Sequence, residues 1–334
     1  MNASMRRIIF DLFFIALSLH GYGQVVEDTR NVDGIEGVYG DSITAREAGL
    51  WWADVMHFIK LYEHFISSRD SLDKLDAEHR LRQMDSLFSE CVCKSEVLDD
   101  QRIDTMPFMG VVRDTVLPFV VLTYEYPDLH RPRYHACVVM PDRVVHLEDE
   151  GSRRNVRFWM YRPVAAPRWL GGLYYNALPL HRDSTASTWM VFGYRQLGTY
   201  HCRKFIDVLT VGRDGGVHSG RPVFYGIPEG GVAVRYVVDY SREAFVHVNY
   251  DTALGRIMMD HLCPLGRHPD GSVRLVPDGT YSAFVPKGEK WYYVDKVFKD
   301  PPRREFVPVP SSSLDKRRDL FGRERKERRK RRAR

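Results

Sequence analysis

The sequence predicts a mainly β fold of the α+β type, in which an N-terminal helical hairpin precedes an antiparallel meander of short strands. Apolar residues recur at helical spacing in the first quarter of the 334-residue chain. From about Asp104 onward they alternate with a period of two, which is typical of half-buried strands. Turn sequences rich in Gly, Pro and Asp separate these runs. The apolar fraction of 44% suits a packed globular core.

The first two dozen residues have the order of a secretory signal peptide. Arg6 and Arg7 precede an apolar run at 8–19, and small residues follow just before Gln24. The run is too short to span a bilayer, and Asp11 within it argues against a permanent anchor. We therefore expect cleavage before Gln24 and export to the periplasm or the outer membrane. An uncleaved anchor or a buried N-terminal element is the alternative.

The helical hairpin is predicted from spacing and from capping signals. Thr44 and Glu47 have the form of a capping box at the start of the first helix. Its apolar residues are spaced by three and four: Trp51, Val55, Phe58, Tyr62 and Phe65. The pattern breaks at Ser67, and a second amphipathic helix is predicted over 70–90. Its apolar residues are Leu72, Leu75, Met84, Leu87 and Phe88.

The β region is predicted from short β-branched and aromatic runs that alternate with polar residues. The predicted strands are 119–126, 133–140, 143–147, 173–180, 188–194, 204–211, 232–240, 243–250, 256–261, 281–285 and 291–295. The intervening turn signals lie at 214–216, 251–255, 269–271, 277–279 and 287–288. Short turns pair neighbouring strands antiparallel, so the meander closes as a sandwich, a barrel or a propeller-like sheet.

These patterns divide the chain into four parts. The predicted parts are a signal peptide at 1–23, a helical hairpin region at 24–97, an antiparallel β domain at 98–300, and a Pro/Ser linker with a basic tail at 301–334. The last 20 residues contain 12 Lys or Arg and four Asp or Glu, although the net charge of the whole chain is only +5. The remainder is therefore mildly acidic. The tail has too little apolar content to fold alone.

Cysteine usage indicates no dense disulfide framework. The five cysteines are Cys91, Cys93, Cys137, Cys202 and Cys263. Export permits disulfides, but the number is odd, and a bridge between Cys91 and Cys93 would be strained. We expect a few buried or singly paired thiols, with the pairing left open. Metal binding or redox work at Cys91 and Cys93 is disfavoured because neither a Cys-x-x-Cys spacing nor a second pair is present.

Two histidine-containing clusters are candidates for a metal site. Asp260 and His261, with Cys263 close behind, have the residue types of a zinc site. Adjacent strand residues point to opposite faces, however, and we expect Pro264 to end the strand, so a hydrogen-bonded strand terminus is favoured. His57 and His64 would share one helical face, but their spacing does not match a chelating i, i+4 pair. Surface histidines are the expected outcome there.

Motifs for the common chemistries are absent from the sequence. It has no Gly-x-Ser-x-Gly nucleophile elbow, no Gly-x-x-x-x-Gly-Lys-Ser/Thr phosphate loop and no dinucleotide-binding glycine motif. Glycoside hydrolysis needs two carboxylates across a cleft, which spacing alone does not reveal. We therefore assign no catalytic, cofactor-binding or metal-ligating residues from the sequence, and no cofactor.

The basic tail is the one candidate binding segment. Guanidinium groups bind phosphate in a bidentate manner, so lipid phosphates and other envelope polyanions are the expected partners. The predicted polyanion-binding residues are Arg325, Lys326, Arg328, Arg329, Lys330, Arg331 and Arg332. Export disfavours nucleic acid as the partner, and a merely solvated tail is the alternative.

Several short blocks resemble an uncharacterised group of exported, β-rich proteins common in Bacteroidota. The blocks are Gly172-Leu173-Tyr174-Tyr175, Lys204-Phe205-Ile206-Asp207-Val208-Leu209, Gly220-Arg221-Pro222-Val223-Phe224, Met259-Asp260-His261-Leu262 and Gly279-Thr280-Tyr281-Ser282-Ala283-Phe284 ahead of Trp291. The processing site before Gln24 is also similar to the usual one in that group. The resemblance spans residues 165–300. It implies a cell-envelope β protein and implies no activity.

The sequence thus favours an exported, non-enzymatic binding or structural protein of the cell envelope with a polyanion-binding tail. An exported hydrolase acting on a glycan or ester is the first alternative. It would require a deep polar pocket with two facing acids, or a nucleophile beside a base. A nucleic-acid-binding protein is the second alternative, in the case that residues 1–23 are not a signal peptide.

Overall fold

The computed structural model describes residues 44–126, 131–151 and 155–298. The predicted signal peptide and the predicted linker and basic tail lie outside these ranges. Residues 44–297 belong to one compact unit, and Phe298 belongs to a second unit whose other residues are outside the described ranges. The four sequence-based boundaries therefore stay a prediction. None of the described helices combines the length and the apolar composition that crossing a membrane requires.

The predicted helical hairpin is present. Helix α1 spans Thr44–Ser67 and helix α2 spans Ser71–Val92. The side chain of Asp70 caps α2 by accepting the backbone N–H of Leu72 at 2.7 Å, since an N-terminal turn leaves such donors without helical partners. Two short 3₁₀ helices follow at Ser95–Leu98 and Gln101–Thr105.

Most of the remaining chain is strand, as predicted. The strands are β1 Met109–Asp114, β2 Phe119–Tyr126, β3 Arg133–Val139, β4 Val144–Asp149, β5 Val164–Ala165, β6 Arg168–Trp169, β7 Leu173–Arg182, β8 Ala186–Gln196, β9 His201–Gly212, β10 Val217–Ser219, β11 Phe224–Tyr225, β12 Val232–Ala233, β13 Tyr236–Ser241, β14 Val248–Asp251, β15 Arg256–Arg267, β16 Val273–Lys287 and β17 Lys290–Val294. A short helix, α3, spans Val156–Tyr161.

The strands form three sheets. The first has the order β1-β2-β3-β4-β6, and the second has the order β5-β10-β9-β8-β7, with β13 also paired to β9. The third has the order β12-β11-β17-β16-β15-β14. Pairing is antiparallel except between β4 and β6 and between β11 and β17. The expectation of a mainly β, antiparallel fold with an N-terminal helical pair is confirmed.

The first sheet is a middle layer between the helices and the rest of the β structure. Val120 and Leu122 of β2 belong to a core shared with α1 and α2, whereas Phe119 and Val121 belong to the core shared with the second sheet. Strand residues alternate between the two faces of a sheet, so β2 is covered on both sides. This burial explains why β2 is a nearly continuous apolar run.

Several sequence-based strand boundaries are wrong for physical reasons. The predicted strand 232–240 is divided into β12 and β13 because the chain crosses from the third sheet to the second. The first half of the predicted strand 243–250 is a turn, closed by the N–H of Ala244 on the carbonyl of Ser241 at 2.8 Å. Helix α3 and strands β1, β5, β6, β10 and β11 were not predicted. Apart from β1 and α3 these elements have only two or three residues, too few to show a period.

The expected end of a strand at Pro264 is also wrong. Strand β15 continues to Arg267 and pairs with β16 through Pro264 opposite Leu275. A proline lacks the N–H that a central strand needs, but this part of the hairpin pairs on one side only. We call residues 262–276 the β15–β16 arm, because here the two strands extend beyond the rest of the third sheet.

Close backbone packing requires glycine at position 193. Gly193 of β8 lies opposite Phe205 of β9, whose ring is completely buried. A Cβ atom at position 193 would lie 2.0 Å from the Cζ atom of Phe205. Gly172, with φ of +144°, contacts the same ring, so the phenyl group fills a space left by two glycines.

We expect Gly193→Ala to lower the free energy of unfolding by about 1–3 kcal/mol, because the buried ring of Phe205 has to leave its position. Urea unfolding followed by tryptophan fluorescence measures the change. Gly198→Ala is the matched control, since a Cβ atom there would meet no atom within 4 Å. Equal stability of the two variants would contradict the packing argument.

Candidate binding groove

An open groove of about 500 Å³ lies between the turn that joins β8 to β9 and the β15–β16 arm. Strand β13 forms its floor through Asp239. The lining residues are Leu197, Gly198, Thr199, Tyr200, His201, Asp239, Asp270, Val273 and Leu275. The groove therefore combines an aromatic ring, apolar side chains and two carboxylates in one concave surface.

The aromatic side of the groove is held in place by a buried histidine. The ring of Tyr200 stacks on the imidazole of His268, with ring centres 5.1 Å apart and planes 21° apart. His268 is buried, and its Nε2 atom is 2.9 Å from the hydroxyl of Ser241. His201 meets the same imidazole edge-on at 5.1 Å. The orientation of Tyr200 is thus set by packing against groups that are themselves fixed.

The floor carboxylate is held by a buried arginine. Arg203 of β9 donates from Nε to one oxygen of Asp239 at 2.6 Å and from Nη2 to the other at 2.8 Å. The Arg203 side chain is only 5% exposed, whereas that of Asp239 is 31% exposed. This two-point contact fixes the plane of the carboxylate and leaves part of it facing the groove.

A serine, a histidine and an aspartate meet at the rim. The hydroxyl of Ser272 is 2.6 Å from Nε2 of His201 and 2.5 Å from Oδ1 of Asp270. The Ser272 hydroxyl and backbone N–H both donate to Asp270, and the hydroxyl bond is the main cause of the lowered pKa of this carboxyl. Since the single hydroxyl proton goes to Asp270, the Ser272 oxygen accepts from His201 rather than giving it a proton.

The same turn occurs three times in the described part of the chain. In each copy an aspartate accepts both the backbone N–H and the side-chain hydroxyl of the residue two positions later, and a histidine bonds to the pair. The three sets are Asp183, Thr185 and His181; Asp270, Ser272 and His201; and Asp278, Thr280 and His261. This repetition indicates a local turn lock, which Asp and Ser/Thr commonly form.

The geometry of Ser272 differs from that of an activated nucleophile. In a Ser-His-Asp triad the histidine lies between the other two groups, so it removes the serine proton while the aspartate holds the ring. Here the serine lies between the histidine and the aspartate, and its hydroxyl hydrogen is donated to the ionised carboxylate of Asp270. The pKa of Asp270 is lowered, so this carboxyl group does not suit the role of a proton donor near neutral pH, and both oxygens of Asp239 are held by Arg203.

A half-buried carboxyl group joins the hairpin to the first sheet. Glu125, at the end of β2, accepts the hydroxyl hydrogen of Tyr62 of α1 at 2.6 Å. The hydroxyl of Tyr134 accepts the N–H of Gln196, the residue before the groove turn, at 2.8 Å. Burial raises the pKa of Glu125, while hydrogen bonds from Tyr62 and Tyr134 oppose that rise.

The raised pKa of Glu125 predicts a pH dependence with a definite sign. Between the ordinary glutamate pKa of about 4.3 and the higher pKa in the fold, the native state binds more protons, so the unfolding free energy falls as pH rises. The glutamine side chain of the Glu125→Gln variant cannot ionise, so the unfolding free energy of the variant lacks this fall with rising pH. We expect the stability of the variant relative to wild type to increase from about pH 4 to about pH 7 in urea titrations.

Glu289→Gln is the control for that titration, because Glu289 is exposed on a surface turn. It removes one carboxylate and leaves the Tyr62–Glu125 hydrogen bond in place. A pH-independent difference for Glu125→Gln, or a rise that both variants share, would show that Glu125 is not the titrating group.

The structure separates the residues that sequence reasoning had grouped. Asp260 accepts the backbone N–H of His247 at 2.6 Å, and burial raises the pKa of its carboxyl. His261 instead bonds Oδ2 of Asp278 at 2.7 Å, so the two neighbours serve different contacts. His57 and His64 are exposed on α1, as predicted. Within the described ranges, no three His, Cys, Asp or Glu side chains are arranged to hold a metal ion.

The structure pairs two of the four cysteines whose side chains it describes. Cys93, just after α2, is bonded to Cys137 of β3, with Cα atoms 6.4 Å apart. Cys202 is a buried free thiol, and Cys263 is a half-buried one. Cys93, Cys137 and Cys202 meet the expectation of a few buried or singly paired thiols, whereas Cys263 is neither fully buried nor paired. The tail residues predicted to bind polyanions lie outside the described ranges.

Sequence reasoning missed the groove residues Tyr200, His201 and Asp239. They come from separate strands and one turn, and nothing in their local sequence marks them. The one available signal is the turn pattern at 269–271, which by itself indicates only a loop. Comparison of the chain with protein-family models, curated proteins and solved structures gives no match.

Proposed function

We propose that this chain is an exported, non-enzymatic protein of the cell envelope that binds a carbohydrate in the groove. The observation that carries the proposal is the fixed pair of recognition groups, Tyr200 on His268 and Asp239 on Arg203. Both are set before any ligand arrives, which reduces the entropy cost of binding. The groove volume of about 500 Å³ falls within the usual range for small-ligand sites.

The residue types suit a sugar. A sugar ring has an apolar face that packs against an aromatic ring, and its edge carries hydroxyls that need hydrogen-bond acceptors. Tyr200 and Leu275 supply the apolar contacts, and Asp239 and Asp270 supply carboxylate oxygens. Both carboxylates are already partnered by protein donors, so they accept further hydrogen bonds without leaving a bare charge in the groove.

The turn lock at Ser272 supports binding over hydrolysis. A hydrolase needs either a serine whose proton passes to a base or a carboxylic acid that is protonated near neutral pH. The groove side chains described above supply neither arrangement. Hydrolysis is therefore the weaker alternative to binding.

The disulfide supports export. Disulfides persist in secreted and periplasmic proteins and are rare in reducing compartments. The Cys93–Cys137 bond thus agrees with the predicted leader, two signals that come from separate parts of the chain. The proposal keeps the basic tail as a second contact, with lipid phosphates or other envelope polyanions as its partners.

Carbohydrate binding is tested on an array of neutral envelope oligosaccharides, followed by calorimetry with the sugars retained. We expect Tyr200→Ala to weaken binding at least about tenfold, since an aromatic contact and a fixed ring are lost together. Tyr281→Ala is the matched control, because Tyr281 is exposed on β16 away from the groove lining. Absence of binding by the wild type would overturn the proposal, and shortened oligosaccharides after incubation would favour the hydrolase.

The cellular compartment of the chain and the binding of its basic tail are tested together, by cell fractionation and by mass-spectrometric mapping of both chain termini. We expect a chain that begins at Gln24, lies in the envelope fraction and is released by salt, because counterions compete with a polycation for phosphate. Deletion of residues 315–334 should abolish the retention and leave the melting temperature unchanged, since the sequence of this segment has too little apolar content to form a core. A cytosolic chain with an intact leader would instead favour nucleic acid as the partner.

A further inference from the structure

A second candidate site lies on the third sheet and is independent of the groove. Tyr225 of β11 and Tyr292 of β17 are direct neighbours across the parallel strand pair. Their rings stack with centres 5.4 Å apart and planes 27° apart. The preceding residue on each strand, Phe224 and Trp291, is buried in the core. Strand alternation therefore places the two tyrosines on the outer face of the sheet.

Two lysines flank the tyrosine pair. The ammonium group of Lys290 is 5.0 Å from the ring centre of Tyr225, and that of Lys287 is 5.1 Å from the ring centre of Tyr292. Both lysines are exposed, and both tyrosines are half-buried. Cation–π contacts of this length restrain the ammonium groups without removing them from solvent. We call these four residues the Lys–Tyr ladder.

The Lys–Tyr ladder itself carries positive charge. The acidic residue between the two lysines is Glu289, and its carboxylate is paired with Arg221 at 2.9 Å. That pair is close to neutral, so Lys287 and Lys290 set the local sign. The sheet row beside the tyrosines continues with Val285 on one side and Val232 on the other, both uncharged. A long anionic ligand lying along this row would meet two cations and no uncompensated carboxylate of these residues.

We propose that the Lys–Tyr ladder binds an acidic polysaccharide through the carboxylates of its uronic acid units. The ammonium groups pair with carboxylates, and the tyrosine hydroxyls donate to the oxygens of the same polymer. A polymer makes both contacts at once, so two weak surface contacts combine into one measurable affinity.

The contacts of the ladder argue against the other polyanions. Single-stranded nucleic acid binds by stacking bases on open aromatic faces, whereas each ring here already contacts the other ring and an ammonium group. Surface attachment to lipid uses projecting Trp, Phe or Leu side chains, and the row formed by Val232, Tyr225, Tyr292 and Val285 contains none of these.

The test is residue-resolved acetylation of lysines in the full chain, with polygalacturonate as the probe and dextran as the neutral control. We expect polygalacturonate to slow acetylation of Lys287 and Lys290 about threefold or more, because pairing with a carboxylate keeps the amine protonated. Lys60, exposed on α1, reports nonspecific protection. Readout at single lysines separates the ladder from the basic tail, which also contains lysines.

Variants then test whether the ladder acts as a unit. Lys290→Gln should reduce the protection of Lys287, whereas Lys60→Gln, which removes the same charge elsewhere, should not. Unchanged acetylation of Lys287 and Lys290 with polygalacturonate would overturn the proposal, even if lysines of the tail were protected. Protection only by single-stranded DNA or by phosphatidylglycerol vesicles would overturn it in favour of that ligand. The Tyr200→Ala variant should keep full protection, so failure here and failure of the groove are distinguishable.

Discussion

Replacing Asp207 by Ala will lower the free energy of unfolding by about 3–5 kcal/mol, because it leaves a buried guanidinium without its counter-charge. Arg235 is completely buried, and Asp207 is 1% exposed. Arg235 donates from Nε to Oδ2 of Asp207 at 2.8 Å. Removing the carboxylate places an uncompensated charge in the core, where the low dielectric makes its desolvation costly.

The arginine is fixed by more than the carboxylate. It also donates to the carbonyls of Trp159 and Arg162 and to the hydroxyl of Ser219, and it lies over the ring of Trp159. These contacts join α3 to the second sheet. The side chain therefore keeps its position in the variant, so the charge cannot escape to solvent.

Guanidinium chloride unfolding at several salt concentrations measures the loss. The control is Glu289→Ala, which removes the exposed partner of Arg221 and should change stability by less than about 0.5 kcal/mol. The double variant Asp207→Leu with Arg235→Met should lose less than Asp207→Ala alone, since no buried charge remains. If the double variant were the less stable of the two, the unpaired charge would not be the cause.

Removing the Cys93–Cys137 bond will cost about 2–5 kcal/mol of unfolding free energy. The bond closes a loop between residues 44 apart in sequence and ties the end of α2 to β3. Without it, the unfolded chain gains conformations, and the hairpin is held to the first sheet by side-chain packing and by the Tyr62–Glu125 hydrogen bond.

The measurement compares urea unfolding of the wild type with and without reductant and of Cys93→Ala. Reductant should lower the wild-type stability and leave Cys93→Ala unchanged, because that variant has no bond to lose. Cys263→Ser controls for the loss of a thiol, since Cys263 is unpaired. A wild type indifferent to reductant would show that the bond contributes little to stability.

The helical hairpin and most strands of the meander were predictable because each is a local pattern. The helix break at Ser67 and the cap at Asp70 depend on neighbours within a few residues. Strand β2 was found with correct bounds because its apolar run is long and is limited by clear turn residues. Periodicity failed at the two-residue strands and at the sheet-to-sheet crossing near Arg235, where long-range pairing decides the conformation.

The candidate sites were not predictable, because their parts are far apart in the chain. His201 and Ser272 are 71 residues apart, and Tyr225 and Tyr292 are brought together by parallel pairing. Conversely, Asp260 and His261 are adjacent in sequence yet bind different partners, at a point where the β15–β16 pairing shifts register. Adjacency was therefore a poor guide to shared chemistry in this β-rich chain.

The sequence by itself determined the mainly β class, the helical pair, most of the turn positions and the prediction of an exported chain with a basic tail. These follow from residue periodicity, turn chemistry and charge, which act over a few residues. The turn predicted at 277–279 was wrong, because these residues lie within strand β16. Only the tertiary structure decided the cysteine pairing, the strand order of the three sheets, the groove and the Lys–Tyr ladder. Each of these depends on which distant segments pack together, because the contact energies that select one arrangement arise only when the chain is folded.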